Sequence, residues 1–454
     1  MTGDGELPPL LWCADFGSTF TKVALVDTTA GELAGIAQHP TTIDTDLFDG
    51  FEAARAEILA VRPDAAGAPV AACSSAGGGL RIAVVGNEEL VTAEAGRRVA
   101  LSSGGRIAAV IAGGLDDARY RQLLDAEPDV ILLVGGTDGG NAEQFVADAR
   151  FLAAVRWSGP VVVAGDVASR DEVVAVLDSA RTPCLPADNV VPRIGVLEPT
   201  SARAAIREVF LAHVIGGKHL SARREFVEHL LGPTPDVVLV GAEVLAAAHG
   251  SQTPGTGVVV VDVGGATTDV YSVLVPDPEE RDLARDVVAV FPVTRTVEGD
   301  LGVNASAETT RESARLAGLP ARTDLDLAAA AILLAVRRHA GRARVVLSPE
   351  GGMVERSGAD LRDADLLVGS GGTLRAADPA AAAALLLGAT GEHPDGWQLP
   401  RRPQVVVDAD YVLAPAGLIV LYGERVGATQ QAMQVARSLV STRLLTTGNG
   451  RSSA

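Results

Sequence analysis

Two segments of this chain share one pattern: an apolar run ends in an aspartate, a glycine-containing turn follows, and a second strand-like run begins on hydroxyl and charged residues. The first is Asp15-Phe-Gly-Ser-Thr-Phe-Thr-Lys22, preceded by Leu10–Ala14. The second is Asp262-Val-Gly-Gly-Ala-Thr-Thr-Asp269, preceded by Val258–Val261. An aspartate at the end of a buried strand is costly unless it is paired, hydrogen-bonded or beside a metal ion. This coarse two-fold echo predicts two related halves, each opening on a strand–turn–strand unit, and no repeat of short fixed period accompanies it.

At roughly 150 residues per domain, 454 residues allow about three domains. Hydrophobic residues make up 47% and charged residues 21%, enough apolar surface for large cores and far from the composition of disordered chains. The net charge of −19 repels phosphate backbones and anionic lipid heads, so neither nucleic acid nor a membrane surface is an expected partner. Any polyanion bound here has to be held by local devices: backbone N–H groups, a lysine or a metal ion. Cys13, Cys73 and Cys184 show no metal-ligand spacing. Without a basic, signal-like start or an apolar stretch long enough to span a bilayer, the expected location is the cytoplasm.

The expected elements run as follows. Strands at 10–16, 22–27 and 31–38 form a meander, and a helix covers 50–62. From 105 to 190, apolar runs Ile107–Ile111, Val130–Val134 and Val161–Ala164 alternate with helical segments 116–126, 141–155 and 169–180, the pattern of a covered parallel sheet. Helical periodicity returns at 200–230. Val237–Val240 and Val258–Val261 read as strands around an Ala-rich helix, Glu243–Ala248, with further strands at 270–275, 288–293, 366–368 and 405–407. The expected division is therefore 1–104, 105–195 for an inserted α/β domain, and 196–454.

Three glycine-rich turns carry the chemistry. In the first, Gly17 lets backbone approach a phosphate closely, Ser18 and Thr19 offer donors, and Lys22 adds charge; an ordinary β-hairpin reads equally well. In the second, Gly264, Gly265 and Thr267 repeat that arrangement. Asp15 and Asp262 would be two carboxylates facing one Mg²⁺, largely through its waters. In the third, Gly369, Gly371, Gly372 and Thr373 break a strand into a helix start, where bare backbone suits a flat base or an α-phosphate. The loop Val134–Gly140 is either a further ligand loop or a tight turn. His39, His213 and His219 form no metal pattern, and Phe16 and Phe20 read as packing residues.

In their order and spacing the three turns resemble those of the actin, sugar kinase and heat-shock-70 ATPase superfamily. The run of Ala14–Lys22, Cys73–Arg81, Thr92–Arg97, Val134–Gly140, Asp262–Asp269 and Arg295–Gly302 further resembles the glutamate mutase accessory proteins, the MutL/GlmL family, over nearly the whole chain. The resemblance implies an α/β fold of two actin-like, ribonuclease H-like ATPase lobes with an inserted parallel α/β domain. It implies ATP and Mg²⁺ as ligands, Asp15 and Asp262 as metal-holding and catalytic groups, and Glu243 as the residue orienting the attacking water. It also brings Glu298–Gly302 near the nucleotide and gives Gly417 to a helix crossing. By the same resemblance the partner is an adenosylcobalamin-dependent mutase, glutamate mutase or a related aminomutase, with ATP/ADP exchange, cobalamin met only through that client, and a possible homodimer. The rival readings are a small-molecule kinase with Asp166 or Asp188 as base, a ring-opening or carboxylase subunit, and an actin-type filament protein.

Overall fold

The computed structural model describes residues 5–76, 78–217, 221, 223–276, 292–348, 351–356, 358–393 and 395–445. Strands β1 (Leu10–Phe16), β2 (Phe20–Asp27) and β3 (Glu32–Pro40) form the expected antiparallel meander, and β4 (Val70–Ser74) runs parallel to β1. Side chains alternate across these strands. Trp12, Ala14, Phe16, Val23 and Leu25 pack toward helix α1 (Leu47–Leu59), while Leu11, Cys13, Ala24 and Val26 face the opposite core.

Beyond β4 the chain builds a five-stranded parallel sheet. It contains β5 (Arg81–Gly86), β6 (Arg106–Ala112), β7 (Val130–Leu133), β8 (Val161–Val163) and β9 (Cys184–Pro186), in the order β6-β5-β7-β8-β9. Helices α2 (Glu94–Ser102), α3 (Asp117–Asp125), α4 (Glu143–Ala154) and α5 (Val167–Ser179) connect its strands. The sheet thus takes in Arg81–Gly86, so a boundary at 105 would cut off its strand β5, which lies between β6 and β7. Its residues Ile82, Val84, Val130 and Leu132 also share one apolar core with Trp12 and Phe16 of the first sheet.

Helices α6 (Thr200–Gly217) and α7 (Arg224–His229) return the chain to β10 (Leu230–Pro233), which joins the first sheet beside β4. Helix α8 (Thr234–His249) then leads to β11 (Gly257–Val263), β12 (Thr268–Leu274) and β13 (Val293–Glu298). A hairpin of β14 (Ala343–Ser348) and β15 (Gly351–Arg356) precedes β16 (Leu366–Ser370) and β17 (Gln404–Val407). The expected strand at 288–293 lies mostly outside the described residues, as does His219.

The two outer sheets have one plan. Their orders are β10-β4-β1-β2-β3 and β13-β12-β11-β16-β17, each with an antiparallel meander on one side of the leading strand and two parallel strands on the other. This is the duplicated ribonuclease H-like design. Register matches as well: Asp15 stands opposite Lys22 and Asp262 opposite Asp269.

One expected strand is a helix. Val237–Val240 lies inside α8, whose first turn carries Pro235. A four-residue apolar run cannot distinguish a strand from a helix buried all round, and Val237, Val238 and Leu239 are all buried. The helix Leu413–Val426 crosses α8 at two glycines. A Cβ on Gly241 would collide with the Leu413 carbonyl, and one on Gly417 with the Val237 carbonyl, so backbone meets backbone there. No helix among the described residues is long and apolar enough to cross a membrane.

His339 on the helix Asp324–Ala340 is buried, with Nε2 2.8 Å from Ser272 Oγ and Nδ1 3.0 Å from Thr296 Oγ1. Burial, aided by the Arg98 charge, pulls its pKa down to about 3, so the folded form holds it neutral. An unfolded histidine takes up its proton near pH 6.5, so this contribution to stability is complete above that pH and is lost progressively toward pH 3. Urea melts at pH 7 and pH 5 should therefore diverge more for the native chain than for His339→Gln.

Candidate functional site

Asp15 ends β1 almost completely buried, and four groups meet it. Thr234 Oγ1 donates to Oδ1 at 2.5 Å, and Cys73 Sγ approaches the same oxygen at 3.5 Å. Tyr411 OH donates to Oδ2 at 2.6 Å, and Lys22 Nζ lies 3.4 Å from it. Thr234 opens α8 and Tyr411 precedes the helix Leu413–Val426, so both helices that pass between the lobes end at this carboxylate. The turn after it is tight: Gly17 N–H donates to Phe20 O at 3.2 Å, and Thr41 Oγ1 donates to Gly17 O at 2.7 Å. Ser18 and Thr19 are left exposed at its tip. Phe16 packs as expected, against the rings of Phe48, Phe51 and Phe226.

The second hairpin faces the first. A Cβ built on Gly265 would stand 3.6 Å from Thr19 Oγ1, so the two turns approach each other across the cleft. Gly264 N–H donates to Thr267 O at 2.9 Å, and Thr267 Oγ1 donates to Asp269 at 3.2 Å. Asp262 carries a pKa raised to about 6. Burial is the main cause and the charges of Asp269 and Asp15 add to it, opposed by Lys22 and a hydrogen bond from Ser370. A raised carboxylate facing a second carboxylate is a place where a cation would be stabilising. Among the described residues no three His, Cys, Asp or Glu side chains cluster as a direct metal cage. Two carboxylates on opposed strand ends fit instead a Mg²⁺ that keeps most of its waters.

The third turn lies against the second. A Cβ on Gly371, at φ +107°, would collide with the Val263 carbonyl, so only glycine allows this approach. Gly372, the next residue, has open space where a Cβ would be, and Thr373 follows on the short helix Gly372–Ala376. Gly369 is packed against Leu374 and Leu386 and supports the turn from behind. A small, largely apolar recess beside Asp15 and Lys22 lies against β2, β3 and the start of the helix Leu413–Val426, with Gln38, Arg375 and Tyr411 at its polar positions, and no glycine of the three turns lines it.

Two acidic segments have structural employment. Arg338 donates to both Glu298 and Asp300, at 2.6 Å each, while Gly302 lies so close to Gly265 and Ala266 that the 298–302 segment props the second turn. Glu243 is not at a helix start. It is the tenth residue of α8, about 13 Å of helix rise from Thr234, and it accepts from Arg203 Nη1 at 3.0 Å. The water-orienting role given to it by resemblance does not fit that position, because misreading Val237–Val240 as a strand displaced the helix start. The acid near the true start is Asp236, fully buried and bound by Arg203 and Arg207 of α6 at 3.0 and 2.7 Å. In the inserted sheet, the Val134–Gly140 loop is closed on its own neighbours. Gly139 N–H donates to Asp166, and Asn189 donates to Gly136 O and Asp138.

Arg295 opens one of the segments that carry the family resemblance, but its partners come from distant segments and leave no signal in the sequence. Nearly buried on β13, it donates through Nε and Nη2 to Asp269 Oδ1 at 3.0 and 2.6 Å and through Nη1 to the Leu101 carbonyl at the end of α2. One guanidinium thus ties the second hairpin to the inserted sheet's first helix. Arg295→Met would leave Asp269 without its cation and should cost about 3–5 kcal/mol, read by urea unfolding.

A family model described as "MutL protein" matches residues 11–325 and 320–435. The chain is similar to "Protein MutL" from Clostridium tetanomorphum, 31% identical over 442 residues that cover 89% of this chain and 94% of the relative. Among solved structures it is similar to a carbohydrate kinase from Novosphingobium aromaticivorans, at 15% identity, 92% coverage of each chain and a TM-score of 0.25. It is also similar to a ligand-bound xylulose kinase from Lactobacillus acidophilus, at 10% identity, 96% and 92% coverage and a TM-score of 0.33. The shared strand order of the two sheets, rather than these superpositions, carries the fold. The extent of the family match and the relative's identity over its length show that the chain belongs to the MutL protein family, the glutamate mutase accessory proteins.

Proposed function

We propose that this chain is an ATP-hydrolysing accessory factor that reactivates an adenosylcobalamin-dependent mutase, glutamate mutase or a related aminomutase. The observation that carries the nucleotide half is the matched pair of hairpins, with Asp15 and Asp262 at equivalent strand ends and Thr19 facing Gly265. In this reading the N–H groups around Gly17–Thr19 and Gly264–Thr267 cradle the phosphates, and Lys22 supplies the positive charge. Gly371, Gly372 and Thr373 lie against the adenosine. Asp15 and Asp262 hold Mg²⁺ through its waters, and the ion when bound neutralises charge on the transferring phosphoryl group. Water attacks the γ-phosphorus in line while the bond to ADP breaks, with the loop donors stabilising the equatorial oxygens.

The mutase half rests on the family. A radical enzyme that has lost its adenosyl group retains inert cobalamin, and its release requires the client to change shape. Lobe closure around ATP is a two-state element able to drive that change. The sheet spanning β5–β9 is the proposed client-recognition module. Two charged ties support such coupling: Arg295 joins it to the second hairpin, and Arg203 and Arg207 join the helix leaving it to the start of α8. Cobalamin is met through the client. The kinase alternative needs an aspartate base, but Asp166 caps α5 and Asp188 pairs with Arg170.

Phosphate release from ATP, with and without candidate mutases, together with recovery of hydroxocobalamin-inactivated mutase, tests this reading. ATP-dependent phosphorylation of a metabolite without recovery would overturn it in favour of a kinase. Asp262→Asn should lower Mg·ATP turnover at least about 100-fold; turnover that survives it means the second hairpin does not serve the phosphates.

A further inference from the structure

Tyr411 is placed with more care than a core tyrosine needs. It is 6% exposed, and its backbone sits at φ +54°, a left-handed conformation that bulky side chains rarely adopt. Asp408 fixes this corner. Its carboxylate accepts from Val412 N–H at 2.8 Å and Leu413 N–H at 3.3 Å, while its own N–H donates to Gly369 O at 2.8 Å. The tyrosine backbone is therefore anchored to the strand end that bears the third glycine turn, in the second lobe.

From that anchor its side chain reaches the first lobe. The hydroxyl donates to Asp15 Oδ2 at 2.6 Å, and Lys22 Nζ lies 3.7 Å from the ring centroid. Arg375, just past the third turn, has its guanidinium 5.7 Å from the same ring and donates through Nε to Ala409 O at 3.0 Å.

We infer that Tyr411 is a positioning residue of the nucleotide site: its hydroxyl seats Asp15 and its ring seats Lys22, setting these first-lobe groups in register with the adenosine turn of the second lobe. This rests on the nucleotide reading proposed above and adds a residue to it. Asp15 Oδ1 is held by Thr234 and Cys73 and needs nothing from Tyr411. Among the described residues, Oδ2 is met by Tyr411 and Lys22 alone. Without the hydroxyl, the ammonium is the remaining donor to that oxygen among the described residues and is drawn onto it, away from a phosphate. Without the ring, the ammonium also loses its cation–π seat.

Isothermal titration of the full chain with Mg·ADP tests this. Tyr411→Phe keeps the ring and should bind at least fivefold more weakly, and Tyr411→Leu at least 25-fold more weakly. A spectroscopic readout separates positioning from bulk stability. With 3-fluorotyrosine at all four tyrosines, the Tyr411 line is assigned by its loss in Y411F, or by exclusion using Phe variants of the other three. It should shift when Mg·ADP binds to the native chain, and shift again in Lys22→Met without nucleotide. Y411F binding within twofold of native, or a Tyr411 line unmoved by bound Mg·ADP, overturns the inference while the nucleotide reading stands. A native chain that binds no Mg·ADP removes both.

Discussion

A carboxylate buried at the end of a central strand has to be met by donors, and Asp15 draws its donors from segments far apart in the chain. Lys22 comes from the neighbouring strand, Cys73 from the parallel strand beside it, Thr234 from the start of α8, and Tyr411 from the approach to the last lobe-spanning helix. Removing that negative charge from water is costly, and each donor offsets part of the cost. The demand of one side chain therefore holds both inter-lobe helices at a common point. Asp262 occupies the equivalent point of the other lobe, where burial, with the charges of Asp269 and Asp15, raises its pKa.

Between these two carboxylates run the two helices that join the lobes. The helices cross where Gly241 and Gly417 bring backbone against backbone. The hairpins at either side are stiff, each closed by a backbone bond from its first glycine. Charges join the third sheet to this frame at two places. Arg295 links Asp269 with the end of α2, and Asp236 gathers two arginines of α6.

Much of the frame was legible in the chain itself. The strand–Asp–Gly–strand pattern locates β1, β2, β11 and β12, because period-two burial and a glycine turn are both local signals. The alternation from 105 to 190 locates β6, β7 and β8 and their helices for the same reason. Local signals fail for α8, where Val237–Val240 is apolar on every side and helical periodicity disappears, and that failure moved Glu243 to a helix start it does not occupy. They fail for β5 too, whose six residues precede the sheet they join. Thr234, Tyr411 and Arg295 could not be foreseen, since Thr234 is 219 residues from Asp15 and Tyr411 is 396, and Arg295 is 194 from Leu101. Buried polar partners at such separations follow from tertiary packing and leave no periodic trace.

The core shared by the first and third sheets has a consequence for how such proteins diversify. Ile82, Val84, Val130 and Leu132 fill the same apolar interior as Trp12 and Phe16, with no solvent layer between them. Exchanging the whole third sheet for a relative's would expose or overfill that interior, so it does not behave as a detachable cassette. Under the proposed client-recognition role, selectivity for one client over another has to be rewritten on its outward-facing loops and helix faces, residue by residue, above an interior that stays constant.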